Sequence, residues 1–598
     1  FDLNPLAVIS ARTNYLLALG DLLQHRRGGI NIPVYICDSI MTPHEVEDLF
    51  GKGVMRFNTT VGPFALPKSL ISAQYIDKLA TFLEDNVPLN LNKEQFTSKL
   101  TSEFPLLPEK DTKDIDVVFG LYERLLSLEK QGVNGIWARI IKNAFAPLFV
   151  GKFDYIAGNP PWVNWEHLPE QYRKESLKLW HLYGLIPPKG LEAILGKSKM
   201  DISVLMTYVS IDKYLKRNGR LGFLITQTVF KTVANNGFRQ FVLLKNNLPI
   251  QVVHVDDMVE LNPFEKASNR TSIVILKKGR PTKYPVQSYL YWKKTVKGKS
   301  IALNSELEDV LKITERKQFV AEPVNEKDPT SPWITGRPKA LKAVRKLIGQ
   351  SEYVAHAGVY SGGANAVYWV EIIDKRPDGL VVISNITEGA KKNVESIQTV
   401  IEPDLLYPLL RGRDVKRWKA EPSAYIIMTR TPDFINQKAI PESEMKIKYP
   451  KTFLYLNRFK KELLDRRDAV LQRSFKTIPF YSLAAVSEYT FALYKVVWTR
   501  VANIEAAVVS ERDGKPVIPQ ETISLVACDR EKEAHYLCTM INSSPFQYAC
   551  VSYSQAGGKS MGSPHVLENI RIPRFDPKNK LHLRLAGLSE KAHEETAK

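Results

Sequence analysis

A four-residue segment that could activate a weakly nucleophilic amine directly follows a short apolar strand. It consists of Asn159, Pro160, Pro161 and Trp162 and is called the NPPW segment below. The amide oxygen of Asn159 and the backbone carbonyl of Pro160 can each accept one N–H bond from an exocyclic amine such as that of adenine. Accepting both bonds draws the nitrogen toward tetrahedral geometry and frees its lone pair for attack on a methyl sulfonium.

The other features of the NPPW segment suit the same task. Its two prolines fix the backbone φ angles, and the second withholds an N–H, so the carbonyls keep their direction. Trp162 offers an aromatic face on which an extruded base can stack. Positioning supplies much of the rate in such chemistry, so it requires no nucleophilic side chain or metal. The same residues also suit a simple strand-ending turn, since Asn-Pro favours turns.

Strands and helices alternate around the NPPW segment, which predicts an open α/β sheet. The predicted elements are helices over 6–23 and 202–215 and apolar strands over 33–38, 154–158, 220–226, 252–255 and 272–276. Ligands of such sheets bind at the carboxyl ends of the strands, which is where the NPPW segment is expected. The fold class predicted from this alternation is α/β, with a doubly wound parallel sheet.

Changes in composition divide the chain into four segments. Residues 1–278 are predicted to form the α/β domain, with a mostly helical insertion over 64–150. Residues 279–345 are polar, rich in Lys and Pro and weakly patterned, which is typical of a linker. Residues 346–576 carry short strands, loops and basic helices, which indicates an α+β domain, and residues 577–598 are predicted to be a charged helical tail.

The overall composition is that of a folded, basic protein. Of its 598 residues, 44% are hydrophobic and 25% are charged, which argues against long disorder. The sequence has no uninterrupted run of 18 apolar residues, so no membrane span is predicted. The formal charge is +19, from 83 Lys and Arg against 64 Asp and Glu, and it favours a polyanionic partner such as nucleic acid.

The cysteine pattern points to a reduced compartment. The chain contains Cys37, Cys528, Cys538 and Cys550. These positions form neither a disulfide framework nor metal-ligand pairs. We therefore expect a cytoplasmic protein without a metal site.

The NPPW segment and its surroundings resemble the gamma-class N6-adenine DNA methyltransferases, in particular the type IIG restriction–modification family. The NPPW segment is similar to family motif IV, and residues 219–225 are similar to motif VI. Residues 1–5, with the helix that follows, are similar to motif II. The resemblance implies a Rossmann-like methyltransferase domain, S-adenosylmethionine as cofactor, double-stranded DNA as substrate and extrusion of the target adenine.

The resemblance also implies roles for four further residues. Asp2 falls on the acid that binds the cofactor ribose, and Asp38 on the acid that accepts from the cofactor adenine amine. Asp201 fits a position that lines the methionine or target pocket, and Phe264 fits the aromatic that packs on the flipped base. From the residues alone, Asp2 and Asp201 could instead be helix caps, Asp38 a solvated turn residue and Phe264 a core aromatic.

One departure from the family pattern affects the expected cofactor site. The glycine-rich loop of motif I and its strand should precede Asp2, and Gly362-Gly363 lies in the wrong domain to replace them. The resemblance thus implies an N-terminally incomplete domain, with an upstream segment carrying motif I and a nuclease as a partner. A DNA-binding specificity subunit without methyl transfer stays open as an alternative. Glutamine methyltransferases of translation factors share the motif but lack a large basic C-terminal domain.

The second domain carries two clusters of cationic residues. Residues 356–365 and 409–418 resemble the opening of a type IIG target-recognition domain. The first cluster is expected to project from one loop–helix junction and to clamp DNA phosphates; it consists of Arg411, Arg413, Lys416 and Arg417, beside Trp418. The second cluster consists of Lys446, Lys448, Lys451, Arg458, Lys460, Lys461, Arg466 and Arg467. Either could instead be a solvated basic surface, and residues 555–560 could approach a phosphate or be a flexible loop.

Overall fold

The structure is a computed structural model that describes most of the chain. The described residues are all except 29, 31, 49–50, 60–61, 106–111, 133–136, 187–199, 262, 265–269, 297–300, 303, 389–393, 467–476, 501–503 and 554–561. They form two compact units. Unit 1 comprises 1–318 and 327–331, and unit 2 comprises 319–326 and 332–598. The expected positions Arg467 and 555–560 lie outside the described residues.

Unit 1 combines helices with two sheets. Its helices are α1 (Pro5–Leu19), α2 (Ala73–Asn86), α3 (Lys93–Glu103), α4 (Thr112–Lys130), α5 (Trp137–Phe149), α6 (Glu170–Leu182), α7 (Ile202–Val209), α8 (Thr228–Lys231) and α9 (Leu307–Lys312). Its strands are β1 (His44–Asp48), β2 (Gly51–Thr59), β3 (Gly62–Pro67), β4 (Phe153–Gly158), β5 (Leu215–Thr226), β6 (Val242–Leu243), β7 (Leu248–Asp257), β8 (Thr271–Lys278) and β9 (Val286–Lys294).

The larger sheet of unit 1 is mixed, which corrects the parallel sheet expected from the sequence. Its strands lie in the order β9-β7-β8-β5-β4. Strand β4 is parallel to β5, and β7 is parallel to β9. Helices α6 and α7 lie between β4 and β5 in the chain, as a parallel crossover requires. Strand β8 is antiparallel to β5 and β7, because no helical crossover separates it from β7.

The insertion between residue 38 and β4 has a core of its own. Strands β1, β2 and β3 form an antiparallel sheet, which the sequence analysis did not anticipate. Helices α2 to α5 follow, in agreement with the helical character expected of 64–150. Buried apolar side chains from β3 and these helices pack together, including Leu66, Leu83, Phe96 and Tyr122.

Helix α1 is mostly exposed in unit 1. Asn4 caps it by accepting from the Leu6 N–H at 2.9 Å, and the helix continues as a 3-10 turn to residue 25. By length and composition Pro5–His25 could cross a membrane, a weak criterion that signal sequences near an N-terminus also satisfy. The expectation of no membrane span depended on uninterrupted apolar runs, which Arg12 and Asp21 break here. It therefore stays a prediction.

The stretch expected to be a linker, 279–345, contains regular structure. It holds β9 and α9 of unit 1, and it continues with β10 (Thr314–Pro323), β11 (Trp333–Gly336) and α10 (Pro338–Arg345). The end of β10 pairs with β11 in antiparallel register within unit 2. In unit 2, Arg345 donates to Glu322 and to the carbonyl of Pro323, which fixes α10 against this hairpin.

Unit 2 is an α+β assembly of short strands and helices. Its further strands are β12 (His356–Ala357), β13 (Trp369–Lys375), β14 (Val381–Asn385), β15 (Gln398–Ile401), β16 (Leu406–Leu410), β17 (Val415–Lys416), β18 (Lys419–Ala420), β19 (Ala424–Ile427), β20 (Tyr494–Thr499), β21 (Ala506–Val509), β22 (Glu511–Arg512), β23 (Lys515–Pro516), β24 (Ile518–Pro519) and β25 (Ile523–Cys528). Its further helices are α11 (Asn365–Tyr368), α12 (Glu442–Lys448), α13 (Pro450–Arg458), α14 (Lys460–Leu464), α15 (Glu488–Phe491), α16 (Glu531–Asn542), α17 (Ser544–Tyr553) and α18 (Lys580–Ala597).

Two sheets organise unit 2. One has the order β12-β25-β20-β21 and the other the order β15-β14-β13-β19-β16-β24, while β17 and β18 form a separate hairpin. The helix expected near the C-terminus, α18, is part of the core. Its Ala586 is buried, and its Ser589 hydroxyl lies 3.0 Å from His535 Nδ1 on α16.

Candidate active site

The NPPW segment lies at the carboxyl end of β4, beside β5. The last residue of β4, Gly158, pairs with Phe223, and a Cβ at Gly158 would come within 3.0 Å of the Phe223 ring. Asn159 is exposed, whereas Pro160 is buried. The backbone of the segment is thus anchored while the amide of Asn159 is accessible to a substrate.

The structure brings together the two aromatic residues singled out in the sequence. The rings of Trp162 and Phe264 meet edge to face, with centroids 5.3 Å apart and an interplanar angle of 77°. Trp162 Nε1 also donates to the carbonyl of Leu224 on β5 at 3.2 Å. An indole held at its nitrogen and along one edge keeps a defined orientation, as a surface for stacking a base requires.

Asp201 lies against the residues that continue the NPPW segment. It forms an antiparallel bridge with Asn164, and flanking bonds join Trp165 N to Met200 O at 2.8 Å and Ile202 N to Val163 O at 2.9 Å. Its position at the start of α7 agrees with the helix-cap reading, because its carboxylate accepts from the Ser203 N–H at 3.0 Å.

Asp201 is buried and its carboxylate is surrounded by donors. The hydroxyls of Ser203 and Thr226 both donate to it, the latter at 2.7 Å. Burial raises the pKa of Asp201, and the hydrogen bonds from Ser203 and Thr226 oppose that rise. Both the capping role and a role beside the NPPW segment therefore fit the same carboxylate.

A second buried polar cluster, missed by the sequence analysis, lies behind the end of β5. Asp257, at the end of β7, accepts from Gln227 Nε2 at 3.1 Å and from the Tyr289 hydroxyl. Burial lowers the pKa of the nearby Lys231 to about 7, while Asp257 acts in the opposite direction. Burial raises the pKa of Asp257 itself. The signal available in the sequence was an acid ending a strand whose neighbouring residues are apolar.

The two acids expected at the cofactor lie on adjacent parallel segments. Asp2 bridges Ile36 in parallel, with bonds from Asp2 N to Tyr35 O at 3.2 Å and from Cys37 N to Asp2 O at 3.1 Å. Asp38 follows two residues after Ile36, so both acids mark the carboxyl ends of their segments. Asp2 is exposed.

Each of these acids already accepts hydrogen bonds from the backbone. Asp2 Oδ1 accepts from the Asn4 N–H at 2.7 Å. Asp38 Oδ1 accepts from Ile40 N at 2.7 Å and Met41 N at 3.0 Å. The Tyr172 hydroxyl also bonds Asp38, and burial together with that carboxylate raises the pKa of Tyr172.

The loop after Asp38 is held by residues that precede β5. Tyr214 donates its hydroxyl to the Ser39 carbonyl at 2.8 Å, and Lys213 Nζ donates to Thr42 Oγ1 at 2.6 Å. Among the described residues, the contacts of Asp38 thus lead to α6 and to residues 213–214 rather than to Asn159.

Comparison with known protein families places the NPPW segment, Asp201 and both acids in one matched region. Residues 1–259 match the Eco57I restriction-modification methylase family. The matched region is less than half of the chain, and it ends before Phe264, so the aromatic partner of Trp162 lies beyond the matched residues.

Relatives cover parts of both units. Type II methyltransferase M.NspV of Nostoc sp. (strain ATCC 29411 / PCC 7524) is 24% identical over 409 residues, which are 65% of this chain and 69% of that protein. The Type IIL restriction-modification enzyme MmeI in complex with DNA has a TM-score of 0.41 and 11% identity, covering 68% of this chain and 44% of that one. The type IIG restriction endonuclease BpuSI has a TM-score of 0.25 and 12% identity, covering 74% of this chain and 50% of that one. This chain thus spans half or less of the two enzymes of known structure.

Beyond the matched region, the first cationic cluster lies on a short hairpin rather than at a loop–helix junction. Strands β17 and β18 pair through Lys416 and Lys419, so Arg417 and Trp418 form the turn. Arg413, Lys416 and Arg417 are exposed. They place three exposed cations at or next to the hairpin.

Arg411 differs from the other three cationic residues of its cluster. It is buried, and its guanidinium donates to Ser423 Oγ through Nη2 at 2.6 Å and through Nε at 3.1 Å. Ser423 in turn donates to Asp414 Oδ1 at 2.6 Å, and Asp414 Oδ2 accepts from the Arg411 N–H at 2.8 Å. The expectation that Arg411 projects toward DNA is corrected, since these bonds fix it at the base of the hairpin.

The turn of the hairpin is anchored by Trp418. This residue has a positive φ of 65°, and its N–H donates to the Ala506 carbonyl at 3.0 Å. Its ring meets His593 of α18 edge to face at 5.7 Å. Helix α18 thereby holds the turn that carries Arg417.

The contacts of His593 require a neutral imidazole, and both His593 and His535 have lowered pKa values. His593 Nε2 accepts from the Val508 N–H at 2.9 Å, and its Nδ1 lies 2.8 Å from the Ser589 carbonyl, to which it donates. Burial lowers the pKa of His593, and burial together with His593 lowers the pKa of His535 to about 4. A proton on His593 Nε2 would have no acceptor in these contacts, because that nitrogen faces the Val508 N–H.

We expect unit 2 to lose stability as the pH falls from about 6.5 toward 4. The pKa values of His535 and His593 are lower in the folded chain than in the unfolded chain. In this pH window the unfolded chain therefore binds protons that the folded chain does not bind, which favours unfolding. For His535, a pKa of about 4 corresponds to about 3 kcal/mol lost across the window. Urea unfolding of the wild type and of His535→Asn at several pH values is the measurement. The variant should show a shallower dependence; identical slopes would contradict the expectation.

Three residues of the second cationic cluster are paired with nearby acids, and a fourth is buried. Lys446 pairs with Glu442 at 2.7 Å, Lys448 pairs with Glu444 at 2.9 Å, and Arg458 pairs with an acid of a neighbouring loop at 2.8 Å. Arg466 is buried and donates to backbone carbonyls. Charge counted along the sequence therefore overstates the cationic surface at these positions.

Proposed function

We propose that this chain is a site-specific DNA methyltransferase of a restriction–modification system, which transfers a methyl group from S-adenosylmethionine to N6 of a flipped adenine in double-stranded DNA. The observation that carries the proposal is the accessible Asn159 amide at the carboxyl end of β4, next to the fixed pair of Trp162 and Phe264. The match of residues 1–259 to a methylase family supports the same chemistry.

In the proposed reaction the NPPW segment activates the target amine. Asn159 Oδ1 and the Pro160 carbonyl accept its two N–H bonds, while the base stacks on Trp162. The nitrogen forms a bond to the methyl carbon as the carbon–sulfur bond breaks, and one amine proton is lost to water. The NPPW segment therefore acts by orientation and by hydrogen bonds that strengthen as positive charge develops on the nitrogen.

The two acids at 2 and 38 suit a nucleoside cofactor. S-adenosylmethionine supplies a methyl group activated by a sulfonium. Asp2 is exposed and uses Oδ1 for its own turn, so Oδ2 can accept from ribose hydroxyls. Asp38, oriented by backbone amides, would accept from the adenine amine. We also propose, from the family resemblance, that a segment outside residues 1–598 supplies a glycine-rich loop and a nuclease.

The direct test is a methylation assay with labelled S-adenosylmethionine and a mixture of duplex DNAs of varied sequence, followed by nucleoside chromatography. The expected product is N6-methyladenine within one sequence context. Label in cytosine, or in protein rather than DNA, would overturn the proposal.

A second candidate is a DNA-binding specificity protein without methyl transfer. It is favoured by the exposed cations of the β17–β18 hairpin. The methylation assay and a band-shift assay on the same DNA distinguish the two. Specific binding with no labelled nucleoside would support the second candidate over the first.

We expect Lys416→Ala with Arg417→Ala to weaken DNA binding on every sequence. If both side chains contact phosphates, each releases about one counterion on binding. The slope of log K against log salt should then fall in magnitude by roughly two. If Arg417 instead reads a guanine edge, its loss should cost about 1–3 kcal/mol mainly on the specific site. Fluorescence titrations at several salt concentrations, on specific and scrambled duplexes, separate these outcomes.

The matched control for this experiment is the double variant Lys446→Ala and Lys448→Ala. Like the hairpin variant, it removes two positive charges from unit 2. In this case, however, both lysines are paired with glutamates in the structure. We expect its salt slope to stay near that of the wild type. Equal effects of the two double variants would show that the hairpin has no special part in DNA binding.

A further inference from the structure

The carboxyl end of β5 holds the NPPW region from two sides. The carbonyl of Leu224 accepts from Trp162 Nε1 at 3.2 Å. Two residues later, the Thr226 hydroxyl donates to Asp201 Oδ2 at 2.7 Å. One strand end is thereby bonded to the aromatic residue of the NPPW segment and to the acid that faces the residues after it.

Backbone hydrogen bonds link Asp201 to the residues that follow the NPPW segment. The bridge between Asp201 and Asn164 is flanked by the bonds Trp165 N to Met200 O and Ile202 N to Val163 O. A shift of Asp201 would therefore shift residues 163–165, directly after Trp162.

The hydrogen bonds around Thr226 have a defined direction. An ionised carboxylate only accepts, so the Thr226 hydroxyl must donate its single proton to Asp201. Thr226 Oγ1 also lies 2.7 Å from Thr228 Oγ1, and with its own proton committed it must accept from Thr228. The result is an ordered relay from Thr228 through Thr226 to Asp201.

The environment gives this relay its importance. Thr226 is 4% exposed and Asp201 is 5% exposed, so water does not readily replace a lost donor. Hydrogen bonds to buried charged groups contribute about 1.5–3 kcal/mol, more than ordinary ones. Removing the Thr226 hydroxyl would leave Oδ2 without this donor while the Ser203 bonds still hold Oδ1.

We propose that Thr226 is a positioning residue for methyl transfer: through Asp201 it fixes the backbone after the NPPW segment, so that Asn159 and Trp162 keep the geometry that the target amine requires. This inference rests on the proposed function. Thr226 itself touches neither the base nor the cofactor in this scheme, and its effect passes entirely through Asp201.

The test compares Thr226→Val, which keeps the shape but removes the hydroxyl, with Thr226→Ser, which keeps the hydroxyl. In methylation kinetics on the chain together with the proposed upstream segment, the valine variant should lower kcat about tenfold, as loss of one strong hydrogen bond implies. KM for DNA should stay within about twofold, because the phosphate contacts are elsewhere. The serine variant should recover most of kcat. A valine variant with wild-type kcat, or a serine variant as impaired as valine, would overturn the inference.

Hydrogen exchange followed by mass spectrometry gives a readout that does not need activity. The amides of Trp165 and Ile202 are bonded across the Asp201 bridge, so they should exchange about tenfold faster in Thr226→Val and at the wild-type rate in Thr226→Ser. Unchanged exchange in the valine variant refutes the positioning role even if the wild type methylates DNA. A wild type that does not methylate even when the proposed upstream segment is supplied, with the exchange difference present, refutes the proposed function and leaves the structural link standing.

Discussion

Replacing Asn159 with alanine is expected to lower the rate of methyl transfer by about a hundredfold or more, because one of the two preorganised acceptors of the amine protons is lost. The Pro160 carbonyl remains, so the amine could still form one bond but would no longer be drawn toward tetrahedral geometry. DNA affinity should stay near the wild-type value, since Asn159 acts on the extruded base rather than on the duplex. Single-turnover methylation and binding titrations measure the two effects separately.

The matched control for Asn159→Ala is Asn164→Ala. Asn164 lies in the same segment and is the same residue type, and it enters the site through its backbone bridge with Asp201. Its side chain caps no helix in the structure. We expect this variant to keep most of the rate. If Asn159→Ala retains more than half of the wild-type rate, the amide is not an acceptor for the amine and the proposed mechanism fails.

The parts of the candidate site that sequence could predict are those whose chemistry is carried by neighbouring residues. The NPPW segment after an apolar strand predicted its own position at a strand end, and β4 ends at Gly158 immediately before it. The contact between Trp162 and Phe264 was not predicted as such: the family resemblance only assigned Phe264 to the flipped base, and no periodicity links residues about a hundred positions apart. The bonds of Thr226 and Asp257 depend on register across β5, β7 and β8, which the sequence does not encode locally.

The sheet and the cationic clusters show why other predictions failed. A parallel arrangement was expected for every strand, but an antiparallel strand such as β8 has the same apolar pattern as a parallel one when both faces are covered. Charge is visible in a sequence whereas exposure is not. Arg411 and Arg417 are six residues apart, yet one is buried beside Ser423 and the other is exposed on a hairpin turn. Only the packing of unit 2 separates them.

Arg466 gives the second large expected effect, and it concerns stability rather than DNA. The sequence placed it in a cationic cluster, but the structure leaves it 1% exposed. Its guanidinium donates to the Leu463 carbonyl at 2.7 Å, the Ser361 carbonyl at 3.1 Å, the Ser482 carbonyl at 2.8 Å and the carbonyl of Phe480. These carbonyls belong to three separate stretches of unit 2, so one side chain ties them together.

Arg466→Ala is expected to destabilise unit 2 by about 3 kcal/mol or more, because each buried carbonyl left without a donor costs about 1–3 kcal/mol. The stability of Arg466→Lys should lie between that of Arg466→Ala and that of the wild type. An ammonium has three donors but cannot match the planar fork of a guanidinium. The control is Arg458→Ala, which removes an arginine 54% exposed from a pair with Glu395 and should change stability by about 0–1 kcal/mol. Urea unfolding followed by tryptophan fluorescence measures all three. Similar midpoints for Arg466→Ala and Arg458→Ala would mean that solvent replaces the guanidinium at little cost, and that Arg466 does not hold these stretches together.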